Sequence, residues 1–323
     1  MDMSARKFSL SKISFVFAAL LLSSPVFGQT YNDYVHQQTA SGAVQPTSPS
    51  LATLPSYPYD PHYDPEQIPT APGVIASDRA RHDVLATHSG ADLGFQISDY
   101  RYREPGLDVN IYGPKYGLNL LLTGKVTDNA FIAADLRGAL GWSNYTGSGR
   151  HNDNFEDLGD IRLLGGYDFF LDRFSLSPFT GIGYRDLYSD DRGRTDTGFY
   201  GYRRENQLLY LPLGIEPRFR VTPESRVAVD MEYDYVITGW QSSKLSDVTP
   251  LLPDLTNTQR SGNGFRGSVM WEMPTWSAGP FFNYWNIDQS DSTCATTLYV
   301  LACGHEPSNH TFEFGGQFRL HFL

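Results

Sequence analysis

The sequence predicts an all-β chain: a transmembrane, antiparallel, up-and-down barrel of about ten strands, with eight or twelve in the same range, preceded by a disordered Pro-rich tail. Three observations lead there. From about Ala91 onward, apolar residues recur at every second position in segment after segment, the period of a strand whose two faces meet different surroundings. Aromatic residues reach 14% while hydrophobic residues make up only 40%, which suits a wall in which every second side chain faces lipid. The connectors alternate between short and long, the sorting expected of short periplasmic turns and longer extracellular loops. A soluble secreted β-sandwich is the competing architecture, and it has no reason to sort its loops this way.

The N-terminus supplies a compartment. Arg6, Lys7 and Lys12 precede an apolar run from Ile13 to Leu22, and small and turn-forming residues lead to Gly28. This is the layout of a secretory signal peptide spanning 1–28, cleaved after Gly28; the run is short for a membrane anchor. Residues 29–90 are rich in Pro, Ser and Thr and read as a periplasmic tail, a spacer or a tether to a periplasmic partner or the cell wall. Within it, Val74 to Ala86 has the composition of a short helix. The barrel occupies 91–323. A net charge of −11 argues against a nucleic-acid partner.

The strand segments can be read in order. Leu93, Phe95 and Ile97 share one face. Tyr116, Leu118, Leu120, Leu122 and Val126 follow, then Ile132, Ala134, Leu136, Leu140 and Trp142 opposite Asp135 and Arg137. Ile161, Leu163, Tyr167 and Phe169 stand opposite Asp160, Arg162 and Asp168. Leu176, Thr180, Ile182 and Tyr184 stand opposite Arg185. Leu209, Leu211, Leu213, Ile215, Phe219 and Val221 stand opposite Glu216, Arg218 and Arg220. Val227, Val229, Met231, Tyr233 and Tyr235 oppose Asp230, Glu232 and Asp234. Phe265, Val269, Trp271 and Met273 oppose Arg266 and Glu272; Trp276, Phe282 and Tyr284 form the next face. The final strand carries Phe312, Phe314, Phe318, Leu320 and Phe322 opposite Glu313 and Arg319. It must pair with the first strand, because an open edge is not tolerated in lipid. The short connectors are TDN, LDR, TPES and PT. The long ones begin at SDYRYREPG, GRHNDNFED, YSDDRGRTD, QSSKLSDVT and DQSDSTCAT.

Gly316, Phe318, Leu320 and Phe322 resemble the C-terminal assembly signal of bacterial outer-membrane β-barrel proteins, with Leu323 one residue beyond the usual terminal aromatic. The resemblance covers Ala91 to Leu323 and is to the superfamily. It implies a bacterial outer-membrane location, with the tail periplasmic and the long loops extracellular. It also implies as partners the barrel-assembly machinery, membrane lipid and lipopolysaccharide, with small solutes or ions as candidate cargo.

The inward face gathers sixteen charges: Asp135, Arg137, Asp160, Arg162, Asp168, Arg185, Glu216, Arg218, Arg220, Asp230, Glu232, Asp234, Arg266, Glu272, Glu313 and Arg319. Two readings follow. Long Arg and Glu side chains can pair and fill a barrel this narrow, or they can line a path for small solutes. Cys294 and Cys303, close together in a secreted chain, point to one disulfide. No metal site or cofactor is expected, since the Cys/His set around them lacks a metal-binding spacing. A rim hydrolase is the enzymatic alternative. His305, Ser308, Asn309 and His310 faintly resemble the lipid A deacylase signature, and His151, Asp153, Asp190 and Asp191 loosely resemble the acids and Asp-His of omptin proteases; neither set has the flanking motifs. The expectation is a non-enzymatic outer-membrane protein, structural or a narrow solute channel, with loops available for recognition; a surface adhesin is a further alternative.

Overall fold

The computed structural model describes residues 84–171 and 173–322. The predicted signal peptide and the tail up to residue 83 lie outside these residues, as does Leu323. The strands are β1 (Gly90–Glu104), β2 (Val109–Lys125), β3 (Ala130–Thr146), β4 (Arg150–Tyr167), β5 (Phe169–Phe170), β6 (Phe174–Arg194) and β7 (Tyr200–Arg220). They continue as β8 (Arg226–Ser243), β9 (Leu255–Gln259), β10 (Gly262–Glu272), β11 (Trp276–Ile287), β12 (Thr293–Thr296), β13 (Leu301–Gly304) and β14 (Asn309–Phe322). β5 continues β4 past a break at Asp168, and β9 continues into β10 past Arg260 and Ser261, so the wall has ten strands. Each wall strand pairs antiparallel with its chain neighbour, and β14 pairs with β1 from Ala91↔Phe322 to Arg103↔His310. The barrel is closed, and no wall strand is left with a free edge.

The predicted faces follow the pleat. On β1, Leu93, Phe95 and Ile97 are exposed on the outside, while Asp92, Gln96 and Ser98 are buried inside. On β14, Phe312, Phe314, Phe318, Leu320 and Phe322 point out, and Glu313 and Gln317 point in. At the turn end of the wall, Phe174 stacks on Phe219 at 5.9 Å and Trp276 on Phe318 at 6.1 Å, as in the interfacial girdles of membrane barrels.

The loop lengths differ from expectation. Three of the five segments read as long loops are mostly strand. β1 and β2 are joined by residues 105–108, β3 and β4 by 147–149, and β6 and β7 by 195–199. The cause lies in the alternation itself. Above Ser98 its phase inverts: Asp99, Arg101 and Arg103 are exposed outside, while Tyr100 and Tyr102 are buried inside. Tyr100, Tyr102, Val109, Ile111, Leu158 and Leu187 form an apolar core within this upper part. A membrane takes about 9–11 residues of a tilted strand, whereas β6 and β7 have 21 each. About half of each therefore stands clear of the bilayer, with water outside and a soluble-type core inside. The two remaining connectors are long. One holds a single 3-10 turn, Leu245–Asp247, and the other holds the β12–β13 hairpin. Cys294 and Cys303 are directly paired across that hairpin and joined by a disulfide.

The disulfide closes a short loop outside the wall. Reduced protein should therefore keep the boiled-versus-unboiled gel shift of a folded barrel, and a thiol reagent should label the chain only after reduction. Loss of the shift on reduction would place the hairpin inside the barrel's cooperative unit.

Candidate functional site

The interior of the wall holds the chemistry, and it is best followed from the turn end upward. At the mouth, the residues just before β1 do not hang free. Leu85 and Ala86 are buried. The Thr87 N–H and hydroxyl donate to the Asp168 carboxylate at 2.9 and 2.7 Å. The Ser175 hydroxyl donates to the Leu85 carbonyl at 2.7 Å, and the Arg226 guanidinium to the carbonyls of Val84 and Ala86, the former at 2.7 Å. Ser175 is on β6 and Arg226 on β8, across the barrel from β1. The segment is a strap spanning the mouth. The last residues of the 29–90 segment replace their backbone hydration with hydrogen bonds to the wall. Val84 and Leu85 are helical and Ala86 forms a bend; residues 74–83 of the predicted helix lie outside the described residues.

Above the strap is a vestibule of about 160 Å³, lined among others by Asp135, Arg162, Glu216, Arg218, Asp230 and Arg319. That is room for roughly ten waters. Arg162 bridges Asp135 and Glu232; Arg218 pairs with Glu216 and, at 3.4 Å, with Asp168; Arg226 pairs with Glu272. The Arg319 guanidinium donates to Gln317 at 3.1 Å. Arg220 sits at the rim and donates to the Thr222 carbonyl.

The middle of the lumen is filled. The Arg266 guanidinium lies 2.7 Å from Asp160 and 2.7 Å from Asp234, with Glu232 at 3.5 Å. The Tyr210 hydroxyl donates to Asp160 at 2.7 Å and accepts from Arg266 at 2.6 Å. Trp285 packs edge-on against Tyr210 at 5.0 Å, and Arg185 and Arg266 each lie over its ring at 5.3 Å. The Tyr210 ring is completely buried and occupies the place of a side chain at Gly183, whose Cβ would meet it at 2.2 Å. A second group at this level holds Glu313, which accepts from Ser98 at 2.6 Å, Asn283 at 3.1 Å and Arg137. Between the two groups lies a gap of about 10 Å³. Higher still, Lys115 pairs with Glu156 in full burial, and Arg204 reaches Glu104 at 2.8 Å and Glu306 at 3.6 Å.

The sixteen predicted inward charges thus fall in three places: mouth and rim, vestibule, and plug. Sequence reasoning missed Tyr210 and Trp285, which complete the plug, and the Lys115–Glu156 and Arg204–Glu104 pairs. A signal for Tyr210 was present. Residues 208–213 read Leu-Leu-Tyr-Leu-Pro-Leu, an unbroken apolar run that marks a strand packed on both faces. His88, Asp92 and His321 were also missed; they converge at the mouth.

The proposed rim chemistry is not assembled. His305 and Ser308 are exposed, and Asn309 is buried and donates to the Pro307 carbonyl. His151 is bonded to the Asn154 side chain, Asp190 to Arg192, and Asp191 accepts from Ser189. Among the described residues, no serine hydroxyl is hydrogen-bonded to a histidine. Outside the wall, Asp247 accepts two hydrogen bonds from the Arg203 side chain at 2.7 and 2.8 Å and one from its backbone N–H at 3.1 Å. These bonds hold its carboxyl below the ordinary value of 3.8.

No protein-family model matches the chain, and a search of curated proteins returns no match. Among solved structures, the matches include the translocator domain of the autotransporter NalP from Neisseria meningitidis. It is 14% identical over 78% of this chain and 97% of that one, with a TM-score of 0.35. An outer membrane channel from Pseudomonas putida F1 is 11% identical over 74% and 98%, TM-score 0.37. Ail, the attachment invasion locus protein of Yersinia pestis, is 12% identical over 72% and 99%, TM-score 0.23. These are outer-membrane β-barrels, but they superpose loosely. The class rests on this chain's own geometry: a transmembrane antiparallel β-barrel of ten strands with a filled lumen.

Two outcomes follow. Arg266→Met leaves the buried carboxylates Asp160 and Asp234 without their cation, while Glu232 keeps Arg162, and should cost about 3–5 kcal/mol in urea unfolding from detergent or vesicles. A cost near zero would mean that the pairing adds nothing net to the stability of the folded barrel. The folded Asp247 carboxyl binds its proton less readily than the unfolded one, so the pair's contribution is complete above the unfolded value. It is lost as pH falls through the lower folded value. Proteolysis within residues 244–254 should rise on acidification below about pH 4, and Asp247→Asn should weaken that dependence.

Proposed function

We propose that this protein is a sealed, non-conducting barrel of a bacterial outer membrane. It anchors its N-terminal segment on the periplasmic side and raises a rigid polar cylinder from the outer face. The plug carries this reading. A space of about 10 Å³ is at the lower bound for a single water, and the side chains around it are tied to one another by paired charges rather than left to move singly. A narrow solute channel needs a continuous polar path with weak, successive binding sites; Tyr210, Trp285 and Arg266 stand across any such path. Strap and plug stand at the two ends of the vestibule.

The outer-membrane assignment is supported by the exposed aromatic face of the wall and by the C-terminal pattern at Gly316, Phe318, Leu320 and Phe322, which stand outward on the strand that closes the barrel. We assign these four residues to recognition by the barrel-assembly machinery, with membrane lipid and lipopolysaccharide as the surroundings of the finished wall. The raised cylinder is also suited to recognition. At the tip of the β12–β13 hairpin, Leu298 is 93% and Tyr299 77% exposed, an apolar pair held out on a disulfide-closed stalk.

Single-channel recording in a planar bilayer tests the reading. Refolded barrel with an intact gel shift should stay silent. Combined replacement of Tyr210 and Trp285 by Ala should open resolvable conductance steps. Steady ion-selective openings from the native chain would refute a sealed lumen.

A further inference from the structure

We propose that His88, Asp92 and His321 form a binding site for a zinc-type divalent transition metal that clips the strap to the seam where the barrel closes. The three residues come from the two chain segments that must meet there. Asp92 on β1 and His321 on β14 are direct partners in the closing ladder, and both side chains point inward. His88 belongs to the strap. It returns over Asp92 through Gly90, whose φ of +144° is one that a larger residue rarely adopts. A Cβ there would lie 2.3 Å from the Phe322 carbonyl oxygen and 3.2 Å from His88.

The donor atoms already sit close to a coordination sphere. Nδ1 of His321 is 2.8 Å and Nδ1 of His88 is 3.4 Å from the same Asp92 oxygen. One donor atom from each of the three residues lies within 4.8 Å of the others. Ligands held tetrahedrally at 2.0–2.1 Å from zinc are separated by about 3.4 Å, so small side-chain rotations suffice to receive the ion. Two imidazoles and one carboxylate suit zinc, copper, nickel or iron and do not suit magnesium or calcium, which take oxygen ligands. With three protein ligands, a fourth position faces the wet vestibule, where water can complete the shell.

The position gives the ion a role. Asp92 and His321 alone belong to the wall, so an ion on these two would stabilise the seam. His88 adds the strap. Metal binding then favours the docked strap by the free energy of the third ligand, and the docked strap favours metal binding equally. Arg226 and Arg319 line the same vestibule and oppose a cation, so the affinity should depend on all three ligands being present.

The test uses the full refolded barrel, stripped with a chelator and titrated with zinc by calorimetry; cobalt serves as a spectroscopic substitute. The expected result is one ion per chain. Weakening of at least tenfold is expected for His321→Ala and for His88→Ala, and none for His310→Ala, a histidine outside the cluster. Cobalt should give the intense visible bands of a four-coordinate site. Zinc should also slow proteolysis at the strap in the native chain and not in His88→Ala. His88 lies outside the wall, so that variant folds independently of the seam, and an intact gel shift verifies it. Absence of stoichiometric binding, or binding indifferent to both His88→Ala and His321→Ala, overturns the proposal.

Discussion

Everything in this structure depends on a closed ladder of backbone hydrogen bonds. In hydrocarbon there is no water to satisfy a strand edge, so β14 must find β1. That single pairing forces the rest. Once the ring of ten strands is closed, each inward side chain is committed to a lumen narrow enough for long side chains to meet in the middle. The charges there have been taken out of water and are supported only by each other. The Arg266 guanidinium, with Asp160, Asp234 and Tyr210 within 2.7 Å and Glu232 slightly farther, shows what closure demands. A buried cation of this kind is tolerable only with several acceptors around it.

The same wall runs through two solvents, and its interior changes accordingly. Within the membrane band the outside is apolar and the inside is a salt-bridged network. Above the band the outside becomes charged, and Tyr100, Tyr102, Ile111 and Leu187 build an apolar core. The backbone takes no notice of the change, since β1 runs unbroken from Gly90 to Glu104. Only the side chains register where lipid ends. The hydrophobic effect acts on the inside of the upper cylinder and on the outside of the lower one.

This explains what was legible in the sequence. The membrane faces could be read residue by residue because lipid enforces a strict period of two: Leu93, Phe95 and Ile97 sit where the alternation places them. The upper cylinder was misread as loops for a physical reason. In SDYRYRE the alternation persists, but its phase has shifted by one, so a reader following the odd positions meets Asp99, Arg101 and Arg103 and takes the strand to have ended. Tyr210 was missed because only the lipid face of its strand was followed. The strap was invisible for a different reason. Val84 to Thr87 show no period, and their partners Asp168, Ser175 and Arg226 are 81 to 142 residues away. No local pattern carries that information.

Strap and plug are not redundant. The plug is made of wall residues and forms wherever the wall forms. The strap belongs to the segment that precedes the wall, and its anchor points Asp168, Ser175 and Arg226 exist in the right geometry only after β4, β6 and β8 have come together. Its docked position therefore depends on the assembled wall. Docking holds Val84 and Leu85 close to β6 and β8, far from the β1–β14 seam. A pull that reaches Val84 is met by the hydrogen bonds of Val84, Leu85, Ala86 and Thr87, which spread it over three wall strands. The closing ladder, the one pairing the fold cannot lose, is spared the load.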